Sequence, residues 1–170
     1  MYLTTTRLDR FWGDDEEILI LGDWCEIESF TAAEKKRSKT LRYHWSNYNK
    51  KVIDAYRIYD SYEKILKSIA LYMNRIHQIE ESQRYWEILV GPWLQNFMEI
   101  VFDRYSCLKN AEITKDLRVV FPFENRIPET FRDFLNEVPK DRFNWSLMKS
   151  ISVNGQIKID IESRKSEIIE

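Results

Sequence analysis

Few residues in this chain have the type and spacing that chemistry needs: two histidines, an arginine set among aromatic rings, and an acid–tryptophan turn. His44 lies in Tyr43-His44-Trp45, between a polar segment and a helix start. His77 closes a long helical pattern, where the helix dipole favours a cation; its imidazole can equally serve as donor or general base toward a substrate hydroxyl. Arg84-Tyr85-Trp86 follows shortly after and groups a guanidinium and two rings near His77. A guanidinium forks onto anions and an aromatic face lies under a sugar, so the group suits a phosphate or a sugar ring. Asp23-Trp24 leaves the apolar run Ile18-Leu19-Ile20-Leu21 through Gly22. In open α/β sheets the loops at the carboxyl ends of strands line the ligand crevice. The candidate substrate-binding residues are therefore Asp23, Trp24, His44, His77, Arg84 and Trp86, expected around one concave surface. The structural alternative places Trp24 and Trp86 in the core and pairs Arg84 with Glu80 or Glu81 on the surface.

Several signatures are missing. With glycines only at 13, 22, 91 and 155, neither a phosphate-binding P-loop nor a dinucleotide fingerprint can be written. Two His and two Cys, scattered along the chain, make no zinc pattern. Cys25 adjoins an apolar strand and Trp24, which reads as a buried structural thiol rather than a nucleophile. No catalytic residue, cofactor or metal is assigned.

The elements that must position these residues follow from periodicity. Tyr2-Leu3-Thr4-Thr5-Thr6 reads as a first strand, and the four acids Asp14 to Glu17 as a linker. Ile18–Leu21 is apolar on both faces, as in a buried parallel strand. Glu28 to Lys39 is polar, a loop or short helix. Ser46 or Asn47 can cap a long helix from about Tyr48 to Ile79. Its columns Val52, Tyr59, Leu66, Met73 and Ala55, Tyr62, Ile69, Ile76 form a face too broad for a two-stranded coiled coil. A second helix runs from Ser82 to Lys109, with Gly91-Pro92 expected to kink or restart it. Leu117–Phe121 reads as a strand, Glu129–Val138 as a helix with Phe131, Phe134 and Leu135 inward, and Phe143–Ile151 as another helix. Asn154-Gly155 is a turn, and Ile157, Ile159 and Ile161 alternate as in a half-exposed strand.

A net charge of -2 and the absence of a long basic run disfavour nucleic acid. No segment has the roughly 20 apolar residues of a membrane span, and no secretory signal is written at the N-terminus. A cytoplasmic protein with reduced thiols is the simplest expectation.

Thr4-Thr5-Thr6, Ile18 through Cys25, Tyr43-His44-Trp45, His77, Arg84 through Leu94 and Phe102-Asp103-Arg104-Tyr105 resemble, in order and spacing, one family. It is the family of transferases encoded in bacterial O-antigen and surface-carbohydrate (lipopolysaccharide) gene clusters. The resemblance implies a helix-rich α/β fold: a small parallel, Rossmann-like sheet packed by two long helices, as in the N-terminal half of a two-domain glycosyltransferase. The match covers roughly the first 110 residues and weakens from there to about Ile151, so that residues 1–151 are expected to form the domain and 152–170 a divergent or frayed tail. It further implies an acceptor-side segment, inactive alone, that meets a sugar or glycan acceptor. The nucleotide sugar would be held by a second half, and association with the inner membrane would be peripheral. A helical, non-catalytic protein-interaction module is the competing expectation.

Overall fold

The computed structural model describes residues 1–6, 8, 17–25, 31–120 and 128–162, without the side chains of Asp23, Glu34 and Glu162. Among the described residues, five short strands, β1 (Tyr2–Thr4), β2 (Ile18–Ile20), β3 (Ser38–Thr40), β4 (Arg118–Val120) and β5 (Asp160–Glu162), form one sheet in the order β3-β2-β1-β4-β5. Every pairing is parallel, with Leu3 opposite Leu19, Leu19 opposite Lys39 and Val119 opposite Ile161. The apolar run that predicts a buried strand is β2, buried throughout beside β1. β3 has no such signature because it is an edge strand with polar, half-exposed residues.

Helices α1 (Ala32–Arg37), α2 (Tyr48–His77), α3 (Gln83–Glu112), α4 (Phe131–Glu137) and α5 (Asp141–Asn154) complete the described chain. The fold is thus helix-rich α/β with a parallel sheet. The chain divides into two compact units, residues 1–44 with 104–170, and residues 45–103. The first, the α/β unit, holds the sheet, α1, α4, α5 and the last turns of α3, whose Leu108 and Ala111 are fully buried. The second is a helical hairpin of α2 and the rest of α3.

Asn47 caps α2 by accepting from the Lys50 amide at 3.2 Å, as the sequence expects. At the other end Gln78 adopts a left-handed conformation (φ 55°), and Asn74 organises the reversal into α3. Its Nδ2 donates to the Glu81 carbonyl at 2.8 Å, while its Oδ1 accepts from the Glu81 amide and from Trp86 Nε1.

The structure corrects several expectations. Gly91-Pro92 does not restart the helix: α3 is one continuous element with Pro92 inside it. Phe131 and Leu135 are 41% and 49% exposed, and only Phe134 of the expected trio is buried, because a seven-residue helix turns too little of its surface inward. The first strand ends at Thr4, since Thr4 to Thr6 form a hydroxyl-bonded turn. Ile157 and Ile159 are buried between exposed Gln156, Lys158 and Asp160, the alternation the sequence predicts, but the strand itself, β5, begins only at Asp160. Glu28–Phe30, Phe121, most of the acidic linker (residues 14–16) and the tail from 163 lie outside the described residues.

Candidate active site in the α/β unit

The chain steps from β1 to β2 to β3 on one side of the sheet, then crosses to β4 and β5 on the other. In such sheets the crevice opens beyond the carboxyl ends of the strands where the order reverses, here β1 and β4. Three buried threonines leave β1 at that edge. Thr4 Oγ1 donates to the Thr6 carbonyl at 2.9 Å and closes the turn. Thr5 Oγ1 accepts from Trp145 Nε1 at 2.9 Å, and Thr6 Oγ1 donates to Asp141 Oδ2 at 2.6 Å. β1 is thereby joined to the first turns of α5 by two hydrogen bonds across about 140 residues of sequence. Buried polar groups demand such partners, and each pair fixes a geometry that apolar packing would leave loose.

Beside this junction lies a cavity of about 490 Å³ lined by Trp24, Arg104, Val138, Pro139, Asp141 and Asn144. Asn144 is buried and its Nδ2 donates to the carbonyls of Val138 (2.8 Å) and Lys140 (3.0 Å). Those two bonds settle the amide orientation and aim Oδ1 at Arg104 Nε, 2.8 Å away. The Arg104 guanidinium also lies over the Trp24 ring, 4.9 Å from its centroid, a cation–π contact. Trp24 reaches that position because residue 22 is glycine: a Cβ on Gly22 would stand 2.1 Å from the indole carbon Cζ3. Arg104 is thus oriented by two neighbours on the cavity wall, with the Asp141 carboxylate beside it. This set can hold an anionic group at the guanidinium and accept a proton at the carboxylate.

Cys25 ends the short 3-10 turn Asp23–Cys25 and is fully buried. Burial pushes its thiol far above the usual range, so it is inert as a nucleophile, as the sequence suggests. His44, past the end of β3, is also buried, with its ring edge-on to Tyr43 at 4.8 Å. One of its ring nitrogens lies within 4.8 Å of Cys107 Sγ. A His–Cys pair is half of the four-ligand set that a structural zinc takes, and no metal is assigned to it.

The six sequence candidates divide between the units. Asp23, Trp24 and His44 belong to the α/β unit, and Trp24 lines the cavity. His77, Arg84 and Trp86 belong to the helical hairpin. There the tight reversal brings His77 and Trp86 together, stacked at 5.9 Å and 22°. Trp86 is buried, its indole N–H bonded to Asn74 at 2.7 Å. Arg84 pairs on the surface with Glu87 at 2.8 Å rather than with Glu80 or Glu81.

Sequence reasoning missed Arg104, Asp141 and Asn144 as site residues. The readable signal for Asn144 is a polar residue between Phe143 and Trp145, at the core-facing side of an amphipathic helix.

A family model described as LIC12162 family transferase matches residues 1–169. No curated protein and no solved structure matches the chain. With all but one of its residues matched, and a ligand-type crevice at the sheet edge, the chain belongs to the LIC12162 family of transferases.

Proposed function

We propose that the α/β unit is the acceptor side of a glycosyltransferase that builds surface polysaccharide, in keeping with the resemblance to O-antigen cluster transferases. The observation that carries this reading is the cavity at the switch point, where Asn144 and Trp24 orient Arg104 beside Asp141. In the proposed reaction an acceptor hydroxyl attacks the anomeric carbon of a nucleotide sugar. The bond from that carbon to the leaving phosphate oxygen breaks, and the hydroxyl proton passes to the Asp141 carboxylate. The nucleoside diphosphate departs with the bonding electrons. Arg104 holds an anionic group of the acceptor, while the donor is held by a second half outside these 170 residues, as the resemblance implies. In this reading the Asp23–Trp24 turn also borders the acceptor, and His44 is a buried residue of the same unit. The reaction takes place in the cytoplasm. Association with the inner membrane is peripheral in this reading, and among the described residues no helix is long and apolar enough to cross a membrane.

The test uses the chain together with its donor-binding half and a panel of nucleotide sugars. Asp141→Asn is expected to lower kcat by roughly 10²–10³-fold, the range of general-base catalysis, with little change in KM. Arg104→Ala is expected to raise the acceptor KM instead. Residues 1–170 alone are expected to turn over no nucleotide sugar. Unchanged kinetics in both variants would discard the assignment.

A second reading, a docking module, draws on one observation. Tyr48, Val52, Tyr56 and Tyr59 form an exposed stripe on α2, around a shallow apolar cavity. Concentration-dependent self-association abolished by Tyr56→Glu would favour it; a monomer at all concentrations would weigh against it.

A further inference from the structure

The helical hairpin holds a cavity of about 620 Å³ between α2 and α3, larger than the one beside Arg104 and Asp141. It follows one stripe on each helix. On α2 it is lined at Lys51, Ala55, Tyr59 and Tyr62, and on α3 at Glu87, Gln95 and Glu99. Two small residues open the space. Ala55 contributes little bulk to the α2 stripe, and Gly91 lets the Tyr62 ring lie against α3. A Cβ on Gly91 would sit 2.7 Å from the Tyr62 hydroxyl oxygen.

Trp45 supplies a third aromatic face. It is held in place by its N–H bond to Asp54 (3.1 Å) and by stacking on Phe102 at 6.1 Å and 13°. Trp45 is thereby fixed in the groove, while the Tyr59 ring is 60% exposed and open to a ligand.

The chemistry of the walls selects the ligand. Glu63, Glu87 and Glu99 oppose a phosphate or any polyanion, with Lys51 the one cation among the described residues that line the cavity. Gln95 donates to Glu99 at 3.2 Å and Arg84 pairs with Glu87. A purely apolar ligand would still strip water from Glu63 and from the remaining carboxylate lone pairs, which costs too much. A cation would find its attraction weakened, because Arg84 already neutralises Glu87 and Lys51 lines the same space. An uncharged ring with one C–H face and several hydroxyls satisfies every wall. Its face packs on Tyr59 or Trp45, and its hydroxyls donate to carboxylates and Gln95 and accept from Lys51. The volume lies within the range of small-ligand sites. Tyr62 stays a neutral hydroxyl here, because burial and the nearby Glu87 and Glu63 push its titration up.

We propose that this groove binds a neutral glycan residue, with Tyr59 and Trp45 as platforms and Glu63, Glu99 and Gln95 as hydroxyl partners. That the sugar is part of the acceptor rests on the transferase reading above; the binding itself does not. The experiment is saturation-transfer NMR on the 170-residue chain with D-glucose, D-galactose, D-mannose, N-acetyl-D-glucosamine and L-rhamnose, and with spermidine as a cationic probe. Transfer to at least one sugar is expected, reduced several-fold by Tyr59→Ala and by Glu99→Gln. Both side chains are exposed, and circular dichroism verifies that the variants fold. Arg104→Ala, in the other unit, is expected to leave this signal intact, so loss of the groove and loss of the proposed active site read out separately. No transfer to any of the five sugars overturns the proposal, as does transfer that both groove variants leave unchanged. Transfer to spermidine alone, lost in Glu99→Gln, makes the groove a cation site and also overturns it.

Discussion

The two units place their polar side chains in different ways. In the α/β unit the bonds that matter join residues far apart in sequence: Thr5 to Trp145, Thr6 to Asp141, Arg104 to Asn144. In the helical hairpin they are mostly local: Lys50 to Asp54, Trp45 to Asp54, Arg84 to Glu87, Asn74 to Glu81. Apolar burial divides the same way. β1 and β2 are wholly buried, whereas α2 buries only Asp54, Ile58, Leu66 and Ala70 along its 30 residues. Local bonds shape a helix and its ends but hold no distant parts together. Long-range bonds between buried groups hold reactive side chains in register, as a site for chemistry requires. The hairpin instead presents a surface.

The largest effect expected from this contrast lies at Trp145, which is fully buried and bonded to Thr5. Trp145→Ala should cost about 3–5 kcal/mol by cavity formation, and it also leaves the Thr5 hydroxyl without its donor. Tyr56→Ala, on a residue of similar chemical class but 69% exposed, should fall within about 0.5 kcal/mol. Urea denaturation of both variants measures the ratio. Equal losses would mean that the hairpin surface is packed in solution.

Acid should act on the hairpin through Asp54. Burial opposes its ionisation, but hydrogen bonds from Lys50 and Trp45, with the charges of Lys50 and Arg57, outweigh it and hold the carboxyl below its ordinary 3.8. The folded-state value is depressed, so this stabilisation is present above the ordinary value and lost as pH falls through it toward the folded value. The thermal transition of the wild type should therefore drop between pH 5 and pH 3 by more than that of Asp54→Asn. Parallel pH dependence in the two proteins would remove Asp54 as the cause.

Two glycines sharpen the comparison further. Gly22→Ala drives a methyl into the Trp24 indole, which has no flexible end to give way, and should dislodge the ring from Arg104. Gly91→Ala meets the far end of Tyr62, which can swing, and replaces a glycine inside a helix. It should therefore leave stability unchanged or raise it by up to about 1 kcal/mol. Melting temperature with Trp fluorescence separates them: Gly22→Ala lowers the first and shifts the second.

What the sequence made legible follows the same divide. The double-faced apolar run of Ile18 to Ile20, the broad helical columns of α2 and the Asn47 cap are local patterns, and the structure contains all three. The Trp24 loop is readable as a cavity-lining candidate because loops after parallel strands gather at one edge, and Trp24 lines the cavity. Arg104, Asp141 and Asn144 were not, because their meaning lies in partners 40 or 135 residues away, and no periodicity encodes such pairing. β3 was missed for another reason: an edge strand with one polar flank carries no apolar alternation. The division into two units also left no trace in composition, since its boundary at residue 103 falls inside the unbroken helix α3.

The smallest expected effects concern the helix caps. Thr130 caps α4: its hydroxyl accepts from the Asp133 amide at 3.1 Å and donates to the Asp133 carboxylate at 2.7 Å. α4 is seven residues long, so an uncapped first turn is a large share of it, and fraying there loosens Phe134 in the core. Thr130→Ala should cost about 1 kcal/mol. Asn47 caps α2 with a single bond to the Lys50 amide at the head of a 30-residue helix. Fraying one turn there exposes Tyr48, already 76% accessible, and little else. Asn47→Ala should therefore cost about 0.5 kcal/mol, the low end for a lost cap. Chemical denaturation resolves the two values, and hydrogen exchange locates them, with faster exchange confined to residues 131–134 in one variant and 48–51 in the other. If Asn47→Ala proved the costlier, the first turn of α2 would have to be packed against something, and the hairpin would no longer be the loosely held half of the comparison.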